Sequence, residues 1–230
     1  MTTDSIYENT KPISLCYYER MNTPKKLWVG AWSLTLLTVL LAFTAWGQGN
    51  NWDILHISTY NLFPIFGLTA FSIMWAHYMV AALRVYLKVD KAVTKNYFEL
   101  TSLIVLGCIL LHPGLLIAQL FRDGAGLPPH SYLNYVRPDL KWAVLLGSLS
   151  FSIFIAYEFH RIYDKKPWWK YVQYLSDAAM FLIVIHSLAL GRQLGPGWFR
   201  GIWIIYTITL VVALYYMYMT KIKTKQTAPA

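Results

Sequence analysis

Charge is the first scarcity. Acidic and basic side chains together make up 13% of the 230 residues, against 57% hydrophobic and 17% aromatic, and the mean hydropathy is +0.40. A water-soluble domain carries more polar surface than this. Cysteine is nearly absent: Cys16 precedes the first apolar run and Cys108 lies inside the third, at different depths, which excludes a structural disulfide. Cys16, beside the membrane, is either an acylation point or inert. There is no GxGxxG, P-loop, CxxC or HExxH, so the chain carries no recognisable nucleotide-binding or hydrolytic domain. No internal repeat or low-complexity stretch stands out. The formal charge of +9 does not point to nucleic acid, because the basic residues gather beside apolar runs rather than along a stripe of exposed aromatics.

What the chain has in quantity is membrane-length apolar sequence. Runs occur at about 27–46, 62–87, 97–121, 140–159, 171–190 and 198–220, each long enough to cross about 30 Å of hydrocarbon as a helix. The first has the basic flank of a signal peptide but is too long for an h-region, so it is read as a retained helix. The fold expected is an all-α integral membrane protein, a six-transmembrane-helix bundle. Residues 1–26 are a tail, 27–220 the membrane domain and 221–230 a second tail. Of the twenty Lys and Arg residues, fifteen fall in the tails and in the connections after spans two and four, and five in the facing loops. By the positive-inside rule both termini are cytoplasmic. The facing loops, 47–60 and 122–139, are rich in Gly, Pro, Asn and aromatics and suit ordered interfacial loops better than helices.

Spans three and five run in the same direction, and each carries a histidine. His112 and His186 each lie about fifteen residues into their spans, which puts both about 22 Å above the inner edge. Level imidazoles on facing helices suit axial ligation of a b-type haem, with no covalent CxxCH attachment. The plainer reading makes each a tie between helices, donating a hydrogen bond to a neighbour's carbonyl.

These features, with the glycine-containing second span FGLTAFSIMWAHYMVAALR and the phrase FLIVIHSLALG, resemble the ferric-reductase-like transmembrane domain over about residues 62–218. That family includes NADPH oxidases, STEAP metalloreductases and the haem subunit of the periplasmic methionine sulfoxide reductase system. Its members usually stack two haems, with a second histidine thirteen or fourteen residues earlier on each of the two spans. Here those positions are Phe98 and Glu99 before His112, and Val172 and Gln173 before His186, none a usual haem ligand. The resemblance therefore implies one haem b, held by His112 and His186 near the outer face, as in single-haem relatives. It further implies a transmembrane oxidoreductase or its electron-transfer subunit in a bacterial inner (plasma) membrane. The chain lacks the flavin and nicotinamide domain of many relatives, so the donor is a separate protein or a membrane quinol.

The inner half of the bundle has polar residues of its own. Asp177 lies early in span five and His77 midway through span two, with Glu99 and Glu158 near inner ends. Asp177 and His77 either exchange protons at a quinone or flavin site, or Asp177 forms a structural pair with His77 or Arg84. His77 is also an alternative haem ligand. His160 reads as interfacial, and His56 and His130 as solvated loop histidines. Arg122, Arg137, Arg192 and Arg200 are candidates for holding haem propionates, with Arg192 best placed six residues past His186. Pro113 frees a carbonyl near Ile109 and bends span three. The rival from another class is a haem-free accessory subunit of a larger membrane complex that keeps the same fold.

Overall fold

The computed structural model describes residues 13–159, 163 and 165–226. Among them the chain is helical. In order come α1 (Ile13–Gly49), α2 (Thr59–Tyr86), α3 (Ala92–Arg122), a short α4 (His130–Tyr135), α5 (Lys141–Glu158), α6 (Trp169–Leu190) and α7 (Trp198–Gln226). Six stretches are long and apolar enough to cross a membrane: Thr23–Gly49, Thr59–Tyr86, Ala92–Arg122, Pro138–Glu158, Trp169–Leu190 and Trp198–Thr224. Large apolar side chains such as Leu36, Leu145 and Val212 are more than half exposed, the surface a lipid-facing bundle presents.

The apolar runs decide that helices form, because lipid offers backbone groups no other partner. Their ends are decided by capping. The Ser58 hydroxyl accepts the Asn61 N–H at 3.2 Å and opens α2. At the far end, Lys88 N–H returns to Val85 and Val89 N–H to Arg84, a Schellman closure that requires a left-handed residue at Lys88, φ 53°. The end of α3 repeats the pattern, with Gly124 at φ 79° bonding Phe121 and Ala125 bonding Leu120. The helices extend beyond the apolar runs: α1 already includes Ile13, well before Leu27, and α3 starts at Ala92 rather than Tyr97, where the Asp90 carboxylate accepts the Ala92 N–H at 2.7 Å. The loop before α5 also holds more helix than its composition suggests. α4 forms there behind Pro128 and Pro129, with His130 and Asn134 bonded one turn apart at 2.8 Å.

Packing is uneven. α2 lies along α3, α5 along α6, and α1 along α2, while the α2/α3 and α5/α6 pairs approach each other only lightly. On α5 the small residues Ala143, Gly147 and Ser150 face α6. Ala143 and Ala179 are fully buried, and the Ser150 hydroxyl reaches the Ala179 carbonyl at 3.3 Å. α7 is bound to α2 by aromatic stacking, Phe71 on Trp203 at 4.3 Å and Trp75 on Tyr206 at 4.2 Å, with the Trp75 indole N–H donated to Thr209 at 3.0 Å. α1 is tied to α3 by the Thr35 and Tyr97 hydroxyls, 2.7 Å apart and buried.

A left-handed residue other than glycine costs roughly 1 kcal/mol. Lys88→Gly should therefore raise the thermal midpoint in detergent, and Gly124→Ala should lower it by a similar amount. Equal midpoints for both variants and the parent would show that the two caps do not limit stability.

Candidate functional site

His112 and His186 are brought into matching surroundings. His112 Nδ1 donates to the carbonyl of Phe63, in the opening turns of α2, at 3.0 Å; His186 Nδ1 donates to the carbonyl of Ala143, in the first turn of α5, at 2.8 Å. Each imidazole thus crosses from its own helix to the backbone of its hairpin partner. Both accepting carbonyls lie near the end of the bundle where Arg192 follows α6, which places the rings at similar depth.

The bond fixes the tautomer. With the proton on Nδ1, Nε2 carries a lone pair and no hydrogen. Among the described residues neither Nε2 has a hydrogen-bond partner. Serine ties helices in this bundle through a single atom: the Ser150 hydroxyl donates to the Leu146 and Ala179 carbonyls, and the Ser187 hydroxyl donates to Val184 and accepts the Trp203 N–H. An imidazole doing the same work leaves a second nitrogen to be satisfied, and an unmade hydrogen bond inside a membrane costs several kcal/mol.

A donor imidazole backed by a carbonyl is the arrangement that orients histidine for metal ligation. No group of three or more His, Cys, Asp or Glu is gathered among the described residues, so a metal held by protein ligands alone has no donor set there. Two imidazoles suit a cofactor that brings four equatorial nitrogens of its own, and in that respect the residues fit a haem.

His77 bonds in the opposite sense. The Thr101 hydroxyl donates to the Tyr97 carbonyl at 2.6 Å and accepts from His77 Nε2, also at 2.6 Å. The nitrogen that usually ligates iron is therefore protonated and occupied. The ring is packed against Tyr97 and Phe98, and Tyr97 is completely buried. The α3 position where the family would put an earlier histidine is thus filled by Phe98 and its neighbours, and Glu99 points outward to Lys95, 3.8 Å away.

The pairing of Asp177 differs from expectation. Neither His77 nor Arg84 meets it; Arg84 lies over the Phe98 ring, 6.0 Å from its centroid. Asp177 instead accepts the Tyr78 hydroxyl at 2.8 Å and, in a short hydrogen bond, the Tyr218 hydroxyl. Tyr78 belongs to α2 and Tyr218 to α7, so both carboxylate oxygens are engaged in joining three helices. The tyrosines, read from sequence as an interfacial belt, supply what a cation was expected to supply.

At the other end Arg192 donates to Asn50 Oδ1 at 2.6 Å and lines a cleft of about 270 Å³ with Gln48, Gln193, Trp198 and Phe199. Among the described residues its remaining N–H groups have no hydrogen-bond partner. Arg122 is held by Gln119 at 2.8 Å, and Arg137 by Asp139 at 2.7 Å. Tyr132, on α4, donates to the Pro113 carbonyl beside His112 at 3.3 Å, and burial pushes its phenol up to about 12, so it stays a neutral donor. His56 is largely exposed and bonded to Asp53. His160 and Arg161 lie outside the described residues.

Sequence reasoning missed the Phe63 and Ala143 carbonyls and the glycines one turn beyond them. An added Cβ would stand 2.8 Å from the His112 ring at Gly67 and 2.5 Å from the His186 ring at Gly147. The glycine of FGLTAF was the visible signal.

Tyr78→Phe and Tyr218→Phe should each lower the melting temperature, since each strips one donor from a buried carboxylate, worth about 1–3 kcal/mol. Neither should alter a spectrum that reports on His112 and His186. A Tyr218→Phe protein that melts like the parent would show that the cluster does not hold α7 in place. Comparison with family models, curated proteins and solved structures returns no match.

Proposed function

We propose that this chain is a membrane b-type cytochrome of the ferric-reductase-like kind, passing electrons through one haem b held by His112 and His186. The observation that carries the reading is the duplicated imidazole arrangement: two rings at similar depth, each with Nδ1 committed to a carbonyl and Nε2 without a partner. When bound, a haem supplies reversible one-electron chemistry between ferric and ferrous iron. The chain's residues do the rest. The two imidazoles hold the metal, the Leu and Ile residues of α3 and α6 keep water away, and Arg192 offers N–H groups to a propionate carboxylate.

A single haem, rather than two, is favoured by the side chains of the opposite half, where Tyr97, Phe98 and His77 pack together. The engagement of both Asp177 oxygens favours a structural role for that residue over proton exchange with a quinone or flavin. The basic clusters put the Arg84 end of the bundle and both termini on the cytoplasmic side, with the haem near the outer face. In this reading the electron donor is a separate protein or a membrane quinol.

Protein expressed with ample haem should show a Soret band and sharp α-band on dithionite reduction, with one haem per chain by pyridine haemochrome. His112→Ala and His186→Ala should each abolish low-spin binding while leaving an inserted, folded protein. No Soret band in the parent would favour the haem-free accessory subunit; an unchanged spectrum in both variants would refute the ligand assignment. Arg192→Leu should retain the haem and shift its midpoint potential, read by redox titration, because a carboxylate loses its partner.

A further inference from the structure

Two glycines stand in the same place relative to the two histidines. In a helix the carbonyl of residue i receives the N–H of residue i+4, so the carbonyls of Phe63 and Ala143 belong to the turns that end at Gly67 and Gly147. Each of these carbonyls also accepts an imidazole Nδ1–H, using its second lone pair. For the ring to reach it, the ring's Nδ1–Cε1 edge must pass over residue i+4. A Cβ there would meet His112 Cε1 and Nδ1 at 2.8 Å in α2, and His186 Cε1 and Nδ1 at 2.5 Å in α5, distances at which something has to move. The ring cannot move without leaving the carbonyl. Gly30, Gly107, Gly114 and Gly201 also lie within helices and have open space where a Cβ would stand, so glycine is not required there for close approach. Sequence around the two sites is unlike, Phe63-Pro-Ile-Phe-Gly67 against Ala143-Val-Leu-Leu-Gly147, and only the geometry repeats.

We propose that Gly67 and Gly147 are positioning residues, each a notch in the neighbouring helix that lets a histidine dock on the carbonyl one turn earlier and so holds its Nε2 free as a ligand. The α2/α3 and α5/α6 hairpins are then two copies of one device, a glycine notch on one helix and an imidazole from the next. The assignment of the ligand to haem rests on the function proposed above; the notch itself does not. Any side chain larger than hydrogen at residues 67 or 147 displaces the ring, unmakes the Nδ1–H bond and releases the tautomer.

The test is a double-mutant cycle on haem-free protein in detergent. Gly67→Ala should lower the melting temperature, and the loss should largely vanish in the His112→Ala background, since the added methyl clashes with that ring alone. Gly147→Ala and His186→Ala should behave in the same way, and Gly107→Ala should be neutral. If Gly67→Ala prevents folding, recovery on adding His112→Ala supports the notch, and failure to recover overturns it. Histidine-selective ¹⁵N NMR should show His112 and His186 as Nδ1–H tautomers in the parent, with Gly67→Ala disturbing only His112 and Gly147→Ala only His186. On loading, each glycine variant should retain haem roughly 10- to 100-fold more weakly and give altered low-spin EPR values. Losses in stability that simply add across the cycle, with unchanged histidine signals, would overturn the proposal. Coupled losses in a protein that never binds haem would uphold the notch and refute the cytochrome reading.

Discussion

Lipid gives a polar side chain nothing to bond with, and the rest of this bundle's chemistry depends on how two imidazoles meet that constraint. Each finds a backbone carbonyl on the next helix, at 3.0 and 2.8 Å. A net gain of about 1 kcal/mol per bond is modest. The larger quantity is the penalty for leaving the group unpaired in hydrocarbon, several kcal/mol, and that penalty holds the rings in place. Bonding through Nδ1 transfers the same difficulty to Nε2. Among the described residues the bundle therefore satisfies one nitrogen of each of these two rings and leaves the other without a hydrogen-bond partner.

The two ends of the bundle resolve their polar groups differently. Towards the Arg84 end, His77, Thr101 and Tyr97 close on one another, and Tyr78, Asp177 and Tyr218 do the same across three helices. Asp177 has both oxygens engaged, whereas among the described residues His77 is bonded through Nε2 alone; together the two clusters fasten α2, α3, α6 and α7. The two hairpins approach each other only lightly, and among the described residues the Nε2 atoms of His112 and His186 have no hydrogen-bond partner. The stacked pairs Phe71–Trp203 and Trp75–Tyr206 extend the fastening along α2 and α7.

Six spanning helices were legible because about twenty consecutive apolar residues have no other stable form in a bilayer. Their ends were less so. Thr59 and Ala92 open helices outside the apolar runs, because the Ser58 hydroxyl and the Asp90 carboxylate accept their first-turn N–H groups, and the Schellman closures at Lys88 and Gly124 end α2 and α3 through φ and hydrogen bonds rather than hydropathy. Asp177 was legible as a buried carboxylate in need of partners. Its partners were not, because a tyrosine in a membrane helix reads first as an interfacial anchor and its hydroxyl reach depends on which helices are neighbours. His77 and His112 both lie within apolar runs, and only the fold shows that His77 bonds through Nε2 to a threonine hydroxyl and His112 through Nδ1 to a backbone carbonyl.

By itself the sequence determined the all-helical class, the number of spans, the scarcity of ionisable groups inside them and the two histidines at matching positions. Each of these follows from composition or from spacing along one helix, where 1.5 Å per residue converts number into depth. Only the tertiary structure decided that both histidines bond through Nδ1, that Gly67 and Gly147 make room for them, and that Asp177 is met by tyrosines rather than a cation. Those facts join residues 39 to 99 positions apart, and such contacts depend on which helix faces meet, a quantity that hydropathy along a single span does not contain.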